Sequence, residues 1–172
     1  MSSSTQAPTQ SLWPEIEAQA QLLSEFLTKN KLTLSCAESC TGGGLGYALT
    51  SVPGSSRWFA GSIVTYSNAL KAELLAVPKD TLINIGAVSE PVVEAMVNGL
   101  YDRTFCDFGL AVSGVAGPGG GSEDKPVGTV CMAWRVPNQP VRVATCHFAG
   151  DRRQVREQSI LHLLKETGRG FF

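Results

Sequence analysis

The residues that could most readily take part in a reaction surround Ser39. This serine follows an apolar stretch and shortly precedes three consecutive glycines. The apolar run 32–34, the segment 36–44 and the helical pattern 45–49 indicate a strand, a tight turn and a helix. At a helix start, the first backbone N–H groups lack intrahelical partners and point outward. They can bind an anion, or an oxygen on which negative charge develops. Ser39 is therefore a candidate nucleophile, although serine is also a very common helix N-cap.

A second candidate group consists of Tyr66 and Lys71, which lie on either side of the potential N-caps Ser67 and Asn68. A helix that begins there places Lys71 in its first or second turn, where the helix dipole is positive. This position and burial both disfavour the ammonium form of a lysine. A partly neutral lysine is a possible general base. The same pattern also fits a solvated lysine, with Tyr66 as either a core-edge ring or a hydroxyl beside the amine.

The segment 113–121 is dominated by glycine and matches neither a dinucleotide fingerprint nor a Walker loop, since no Gly-Lys-Ser/Thr follows. Gly117, Gly119 and Gly120 would let the backbone approach a ligand closely. The segment could therefore hold a phosphate, with Lys125 adding a positive charge, or it could be a flexible surface loop.

Arg152 and Arg156 lie four residues apart and would share one face of the last helix. An arginine there could hold a phosphate through two parallel hydrogen bonds. The alternative is an ordinary solvated helix face on which an arginine pairs with Glu157.

These residues depend on elements that alternate between helical and strand patterns. The sequence predicts helices over 14–29, 43–52, 67–75, 89–101 and 151–167, and strands over 31–36, 58–66, 108–112, 127–136 and 140–148, with a short turn-rich segment at 78–86. Interleaved helices and strands followed by a hairpin predict an α/β fold: a single three-layer α/β/α domain with a mixed sheet. Because ligands collect beyond the carboxyl ends of parallel strands, we expect the loops 37–44 and 113–121 to be neighbours.

Composition limits the classes of partner. The 172 residues are 43% hydrophobic and 17% charged, which is typical of one globular domain with a sizeable core. A net charge of −1 gives no general attraction to nucleic acid or to anionic membranes, so neither is an expected partner. No apolar run is long enough to span a bilayer. Residues 1–12 are predicted to be a disordered tail without signal-peptide features, ahead of a cytoplasmic domain over 13–168.

The five cysteines are odd in number and form no Cys-x-x-Cys pair, which favours reduced, mostly buried thiols. His147 and His162 have no ligand spacing to any cysteine, so no metal site is predicted.

Taken together, the motifs closely resemble the CinA C-terminal domain family of nicotinamide-nucleotide amidases (NMN deamidases). The resemblance extends over residues 15–164, and so many matches in the same order make coincidence implausible. The matching motifs are AESCTGG from Ala37, VPGSS from Val52, VTYSN from Val64 with Lys71, GAVSE from Gly86, SGVAGPGGG from Ser113, KPVGTV from Lys125 and GDR from Gly150.

The resemblance implies hydrolysis of the carboxamide of nicotinamide mononucleotide to nicotinic acid mononucleotide and ammonia, within pyridine nucleotide salvage and NAD metabolism. It implies a Ser-Lys mechanism in which Ser39 and Lys71 are assisted by Tyr66, without a metal or other cofactor. It also implies a homodimer. The family's oxyanion hydroxyl corresponds to Ser113 and its phosphate-contacting arginine to Arg152. The expected binding set also includes the loop glycines Gly117, Gly119 and Gly120 and the turn residues Cys40, Thr41 and Gly42.

Two other functions fit the same residues. Helix N-termini and glycine loops bind phosphates whether or not a reaction follows, so the chain could be a non-catalytic pyridine-nucleotide-binding module. It could also be a Ser-Lys amidase that acts on another substrate.

Overall fold

The computed structural model describes residues 10–169 and 171. These form one α/β domain in which helices cover both faces of a five-stranded sheet. In chain order, the elements are α1 (Trp13–Asn30), β1 (Leu34–Glu38), α2 (Gly44–Thr50), β2 (Phe59–Val64), α3 (Asn68–Leu75), α4 (Lys79–Asn84), α5 (Glu90–Thr104), β3 (Phe108–Gly114), β4 (Thr129–Arg135), β5 (Arg142–His147) and α6 (Arg152–Gly168).

The strand order in the sheet is β2-β1-β3-β4-β5. Strand β1 pairs in parallel with both β2 and β3, whereas β4 runs antiparallel to β3 and to β5. The sheet is therefore mixed, as predicted, and the predicted hairpin is β4–β5. The central strand of the sheet, β3, is buried from Phe108 to Ser113, which agrees with the nearly all-apolar sequence of this strand.

Alternation along β1 separates two hydrophobic cores. Leu34 and Cys36 face the layer formed by α1, α2 and α6, while Ala37 faces the layer formed by α3, α4 and α5. Successive strand residues point to opposite faces of the sheet. Residues that follow one another at the end of β1 therefore reach different layers, and this alternation sets the geometry of the site.

Several predictions of local structure were wrong. Strand β1 spans Leu34–Glu38 rather than 31–36, and it begins late because Lys31 adopts a left-handed conformation that caps α1. The turn-rich segment 78–86 contains the short helix α4, whose Leu82 packs into the core beside α5. Ser113 and Gly114 belong to β3, since their pairing with β4 continues past Val112.

The predicted 1–12 tail lies outside the described residues up to position 9. Its described end is held by α6, because the backbone N–H of Leu12 and the hydroxyl of Ser11 donate to the Glu157 carboxylate. Of the helices in the described ranges, none combines the length and hydropathy that crossing a membrane requires.

The chain leaves β1 toward α2 on one face of the sheet and leaves the adjacent β2 toward α3 on the other. In open α/β sheets such a change of direction opens a crevice beyond the strand ends, and ligands bind there. As expected, the loop after β1 is adjacent to the end of β3, since the Ser39 N–H donates to the Val112 carbonyl at 3.0 Å.

The position of α3 depends on Gly99 in α5. A Cβ atom at Gly99 would overlap the backbone carbonyl of Leu75 at the end of α3. Because α3 carries Lys71, this close approach of two helices also fixes the candidate base.

We expect Gly99→Ala to lower the free energy of unfolding by about 1–3 kcal/mol, the usual cost of overpacking. Urea unfolding measures the change. The matched control is Gly119→Ala, because nothing lies within 4 Å of a Cβ at that position; it should change stability by no more than about 0.5 kcal/mol. Equal stability of the two variants would contradict the close contact.

Candidate active site

The side chains of Ser39 and Lys71 meet beyond the carboxyl end of β1. Lys71 Nζ lies 2.9 Å from Ser39 Oγ and 2.7 Å from the carbonyl oxygen of Thr65. Lys71 is only 1% exposed, and Ser39 and Thr65 are also buried. An amine and an alcohol are thus in hydrogen-bond contact in a site with little access to water, which is the geometry that a nucleophile and its base require.

Burial lowers the pKa of the Lys71 amine below its ordinary value, and the neighbouring Cys40 opposes this shift more weakly. Desolvation acts in this direction because it disfavours the charged form of an amine. A neutral amine keeps two N–H groups and one lone pair. With one N–H donated to the Thr65 carbonyl, the lone pair can face the Ser39 hydroxyl and accept its proton.

Local structure explains why both side chains reach this point. Ser39 follows Glu38, so it returns to the face of the sheet that α3 covers. The Ser67 side chain caps α3 by accepting from the Leu70 N–H at 3.2 Å, which places Lys71 in the second turn. Ser39 is not the N-cap of α2, because that position is occupied by Gly43 in a left-handed conformation.

Two backbone donors lie directly after the serine. Within the described residues, the N–H groups of Cys40 and Thr41 donate to no other residue, and the Cys40 N–H faces its own thiol, whereas the Gly42 N–H donates to the Ser39 carbonyl. Open N–H groups beside a nucleophile can bind a developing oxyanion. Burial raises the pKa of the Cys40 thiol to about 12, so this neighbour of the serine remains protonated near neutral pH.

Ser113 lies near the end of β3, next to β1 in the sheet, and it is buried. It shares the face of Ala111, which belongs to the core on the α3 and α5 side. Its hydroxyl has no partner among the residues that the structure describes. Ser113 thus shares its sheet face with Ser39, as an oxyanion donor would need to.

Arg152 connects two predicted parts of the site. Its Nη1 donates to the Gly117 carbonyl and its Nη2 to the Tyr66 hydroxyl, both at 2.8 Å. In the described part of the chain, the Tyr66 hydroxyl contacts neither Ser39 nor Lys71, and the side chain is 58% exposed. Tyr66 therefore lies at the rim of the site, beside Arg152.

Arg156 contacts the loop that follows β1, since its Nη2 donates to the Thr41 carbonyl at 2.8 Å. The expected alternative, a solvated face paired with Glu157, describes Arg153 instead, which contacts that carboxylate at 2.8 Å. The N-terminus of α6 is fixed by a capping box between Asp151 and Gln154. The start of α6 therefore holds both loops.

The glycine loop borders a cavity of about 450 Å³. Gly117 and Gly120 have positive φ values of 84° and 85°, which a residue with a side chain adopts only with strain. Gly119 faces open space. Lys125, which could add a positive charge beside this loop, donates to the Ile85 carbonyl at 2.7 Å. Residues lining the cavity include Gly117, Pro118, Val127, Asp151, Arg152 and Arg153.

The sequence did not single out Glu38, which is 0% exposed and accepts five hydrogen bonds around the turn that carries Ser39. An acidic residue that ends an otherwise apolar strand just before a glycine-rich helix start is a signal that could have found it. Among residues 10–169 and 171, no cluster of three or more His, Cys, Asp or Glu side chains could hold a metal ion.

Comparison with known proteins gives the chain its family. Residues 16–169 match the family model of the CinA C-terminal domain. The chain belongs to the CinA C-terminal domain family. The nicotinamide-nucleotide amidohydrolase PncC of Pseudomonas putida is 49% identical over 145 residues, covering 84% of this chain and 90% of that protein.

A CinA-like protein of Leptospira biflexa is also 49% identical, over 139 residues that cover 81% of this chain. This chain spans only 33% of that relative's length, and the first curated relatives are similarly longer than the part they share. Among solved structures, the competence/damage inducible protein CihA of Agrobacterium tumefaciens superposes with a TM-score of 0.86 at 37% identity, covering 88% of this chain and 93% of that one.

The buried amine should make stability depend on pH. A lysine whose pKa is lower in the folded state binds fewer protons there than in the unfolded chain, at pH values between its folded and unfolded pKa. Unfolding free energy should therefore rise with pH through that window. We expect Lys71→Met to lack this contribution, so that wild type gains stability relative to the variant as the pH approaches the ordinary lysine pKa. Urea unfolding across alkaline pH values measures the difference, and a pH-independent difference would contradict the lowered pKa.

Proposed function

We propose that the chain is a nicotinamide-nucleotide amidase that converts nicotinamide mononucleotide to nicotinic acid mononucleotide and ammonia through a Ser-Lys mechanism. The observation that carries the proposal is the 2.9 Å contact between the buried Lys71 amine and Ser39 Oγ. It is supported by the identity to the Pseudomonas putida PncC protein over nine tenths of that protein's length. Such an enzyme would belong to pyridine nucleotide salvage in NAD metabolism.

The first chemical step joins Ser39 to the substrate. Neutral Lys71 takes the Ser39 proton, and Ser39 Oγ attacks the carboxamide carbon to form a tetrahedral intermediate. The Lys71 ammonium then donates its proton to the departing nitrogen, which leaves as ammonia. Water, deprotonated by the same amine, hydrolyses the resulting ester and releases the acid product. No step needs a metal or other cofactor.

The negative charge that develops on the carbonyl oxygen needs donors that are in place before the reaction. We assign this role to the N–H groups of Cys40 and Thr41, with the Ser113 hydroxyl as a further donor. Gly42 shapes the turn, because its left-handed conformation allows the Gly42 N–H to close back onto Ser39.

The substrate phosphate must be held by a local cluster, since the chain has a net charge of −1. We propose that Arg152 contacts it, at the cavity that Gly117 and Arg152 line, with Gly119 and Gly120 in the adjoining part of the glycine loop. Only two of the guanidinium donors of Arg152 are used by Gly117 and Tyr66, so donors remain for a ligand. Tyr66 assists by holding Arg152 at the rim of the site. We also propose that the protein is a cytoplasmic homodimer, as the family resemblance implies.

We expect Ser39→Ala to abolish ammonia release from nicotinamide mononucleotide, and Lys71→Met to lower kcat by about 100- to 10,000-fold, as loss of a general base does. Methionine keeps the length and apolar contacts of the lysine stem, so folding should survive. Near-normal turnover by the Lys71 variant would exclude Lys71 as the base.

The same assay separates the two alternative functions. Saturable binding of the nucleotide by wild type without product would favour the non-catalytic binding module. Faster turnover of a different amide would favour another substrate.

Ser113 is tested separately. Loss of one oxyanion donor typically costs about 100- to 1,000-fold in rate, so Ser113→Ala should lower kcat by that factor with little change in KM. Ser113→Thr is the control, because it keeps the hydroxyl on the same strand position. If the alanine variant turns over as fast as the threonine variant, Ser113 does not bind the oxyanion.

A further inference from the structure

The carboxylate of Glu38 is buried beside the site and accepts five hydrogen bonds. Its side chain is fully buried on the α2 face of the sheet, on the opposite face from the adjacent Ser39. It therefore cannot touch a substrate that Ser39 attacks. Any effect that it has on the reaction must pass through the backbone that joins the two residues.

Five donors converge on this carboxylate. Oε2 accepts from the Thr41 hydroxyl at 2.6 Å, and Oε1 accepts from the Ser62 hydroxyl on β2 at 2.8 Å. The remaining donors are backbone N–H groups of Gly43, Leu45 and Gly46, at 3.1, 3.0 and 2.9 Å. These three groups lie at the start of α2, where N–H groups have no partner inside the helix. The Glu38 carboxylate thus accepts hydrogen bonds from N–H groups that α2 leaves without partners at its N-terminus.

The backbone on either side of this carboxylate is held as firmly. The Glu38 carbonyl accepts from the Thr65 N–H at 2.8 Å, and the Ser39 N–H donates to the Val112 carbonyl at 3.0 Å. Thr65 also offers the carbonyl that contacts Lys71 Nζ. The end of β1 is therefore joined on both sides to the strands that surround the site.

Gly46 allows the helix to approach this closely. A Cβ atom there would lie 2.7 Å from Ser62 Oγ and 3.4 Å from Glu38 Oε1. A side chain at this position would push apart the carboxylate and two of its donors. The sequence thus leaves space at Gly46 for the carboxylate and its partners.

We propose that Glu38 is a positioning residue that fixes the turn from Ser39 to Gly46, and so aims the N–H groups of Cys40 and Thr41 at the reacting carbonyl. This proposal rests on the amidase proposed above. The carboxylate takes up the N–H groups of Gly43, Leu45 and Gly46, which leaves Cys40 and Thr41 as the described turn residues after Ser39 whose N–H groups donate to no other residue. A hydrogen-bond donor stabilises a transition state most when it is held in place before the negative charge develops.

Glu38→Gln tests the proposal, because glutamine keeps the size but replaces one acceptor oxygen with a donor. Whichever way the amide is oriented, its NH₂ group faces at least one backbone N–H of α2, so the turn must shift. We expect kcat for nicotinamide mononucleotide to fall by about 100-fold, comparable to losing one oxyanion donor. KM should change less than threefold, because the carboxylate is remote from the substrate.

A matched control separates positioning from simple loss of stability. Thr104→Ala removes the 2.9 Å contact with Ser35, a buried hydroxyl on the same strand but near its other end. It should lower the melting temperature while leaving kcat at the wild-type value. If both variants lose kcat in proportion to their loss of stability, Glu38 has only a structural role and the proposal is overturned.

A second readout does not depend on the substrate. The rate at which a fluorophosphonate probe labels Ser39, followed by mass spectrometry, should fall at least tenfold in Glu38→Gln. If wild type releases no ammonia but this difference in labelling holds, the amidase proposal fails and the positioning role stands. If wild type is an amidase and Glu38→Gln matches it in both kcat and labelling, the positioning role is overturned. Should the glutamine variant not fold, Glu38→Asp is measured instead, and wild-type labelling by that variant overturns the proposal.

Discussion

The site depends on keeping one amine out of water. Lys71 is buried, and burial opposes its charged form. Packing provides this environment, because Gly99 lets α5 come into contact with the end of α3. The Thr65 carbonyl then orients the amine toward Ser39. The folded chain therefore holds a lysine whose pKa is lowered by burial in hydrogen-bond contact with a serine.

The end of β1 uses the alternation of a strand to place unlike groups on opposite faces of the sheet. Glu38 points toward α2, where five donors satisfy its charge, and Ser39 points toward the amine of Lys71. If both side chains faced the same way, the carboxylate would accept from the lysine and stabilise its ammonium form. Separation by the sheet therefore allows a buried acid to precede Ser39 directly in sequence without facing the amine that Ser39 contacts.

The sequence predicted the fold class because helical and strand periodicities are local properties of the chain. It also indicated Ser39, through the turn between a strand and a glycine-rich helix start, and Lys71, through the start of its helix, and the family motifs pointed to both. It missed Glu38, although an acid at the end of this strand is a usable signal, since its five donors come from β2, the turn after β1 and the start of α2 and meet only in the folded chain. The contact of Lys125 with the Ile85 carbonyl is likewise a tertiary contact that the sequence did not indicate. Helix α4 was missed because six residues carry too little periodicity.

The start of α6 concentrates positive charge. Arg152, Arg153 and Arg156 lie in its first turns, where the helix dipole disfavours cations. Asp151 and Glu157 offset part of this charge. Arg152 and Arg156, however, donate to loop carbonyls rather than to carboxylates. Carbonyl partners hold a guanidinium in place without neutralising it. A positive charge is therefore kept between the two loops, although the chain as a whole is slightly acidic, and an anionic group of a ligand would find its counter-charge there.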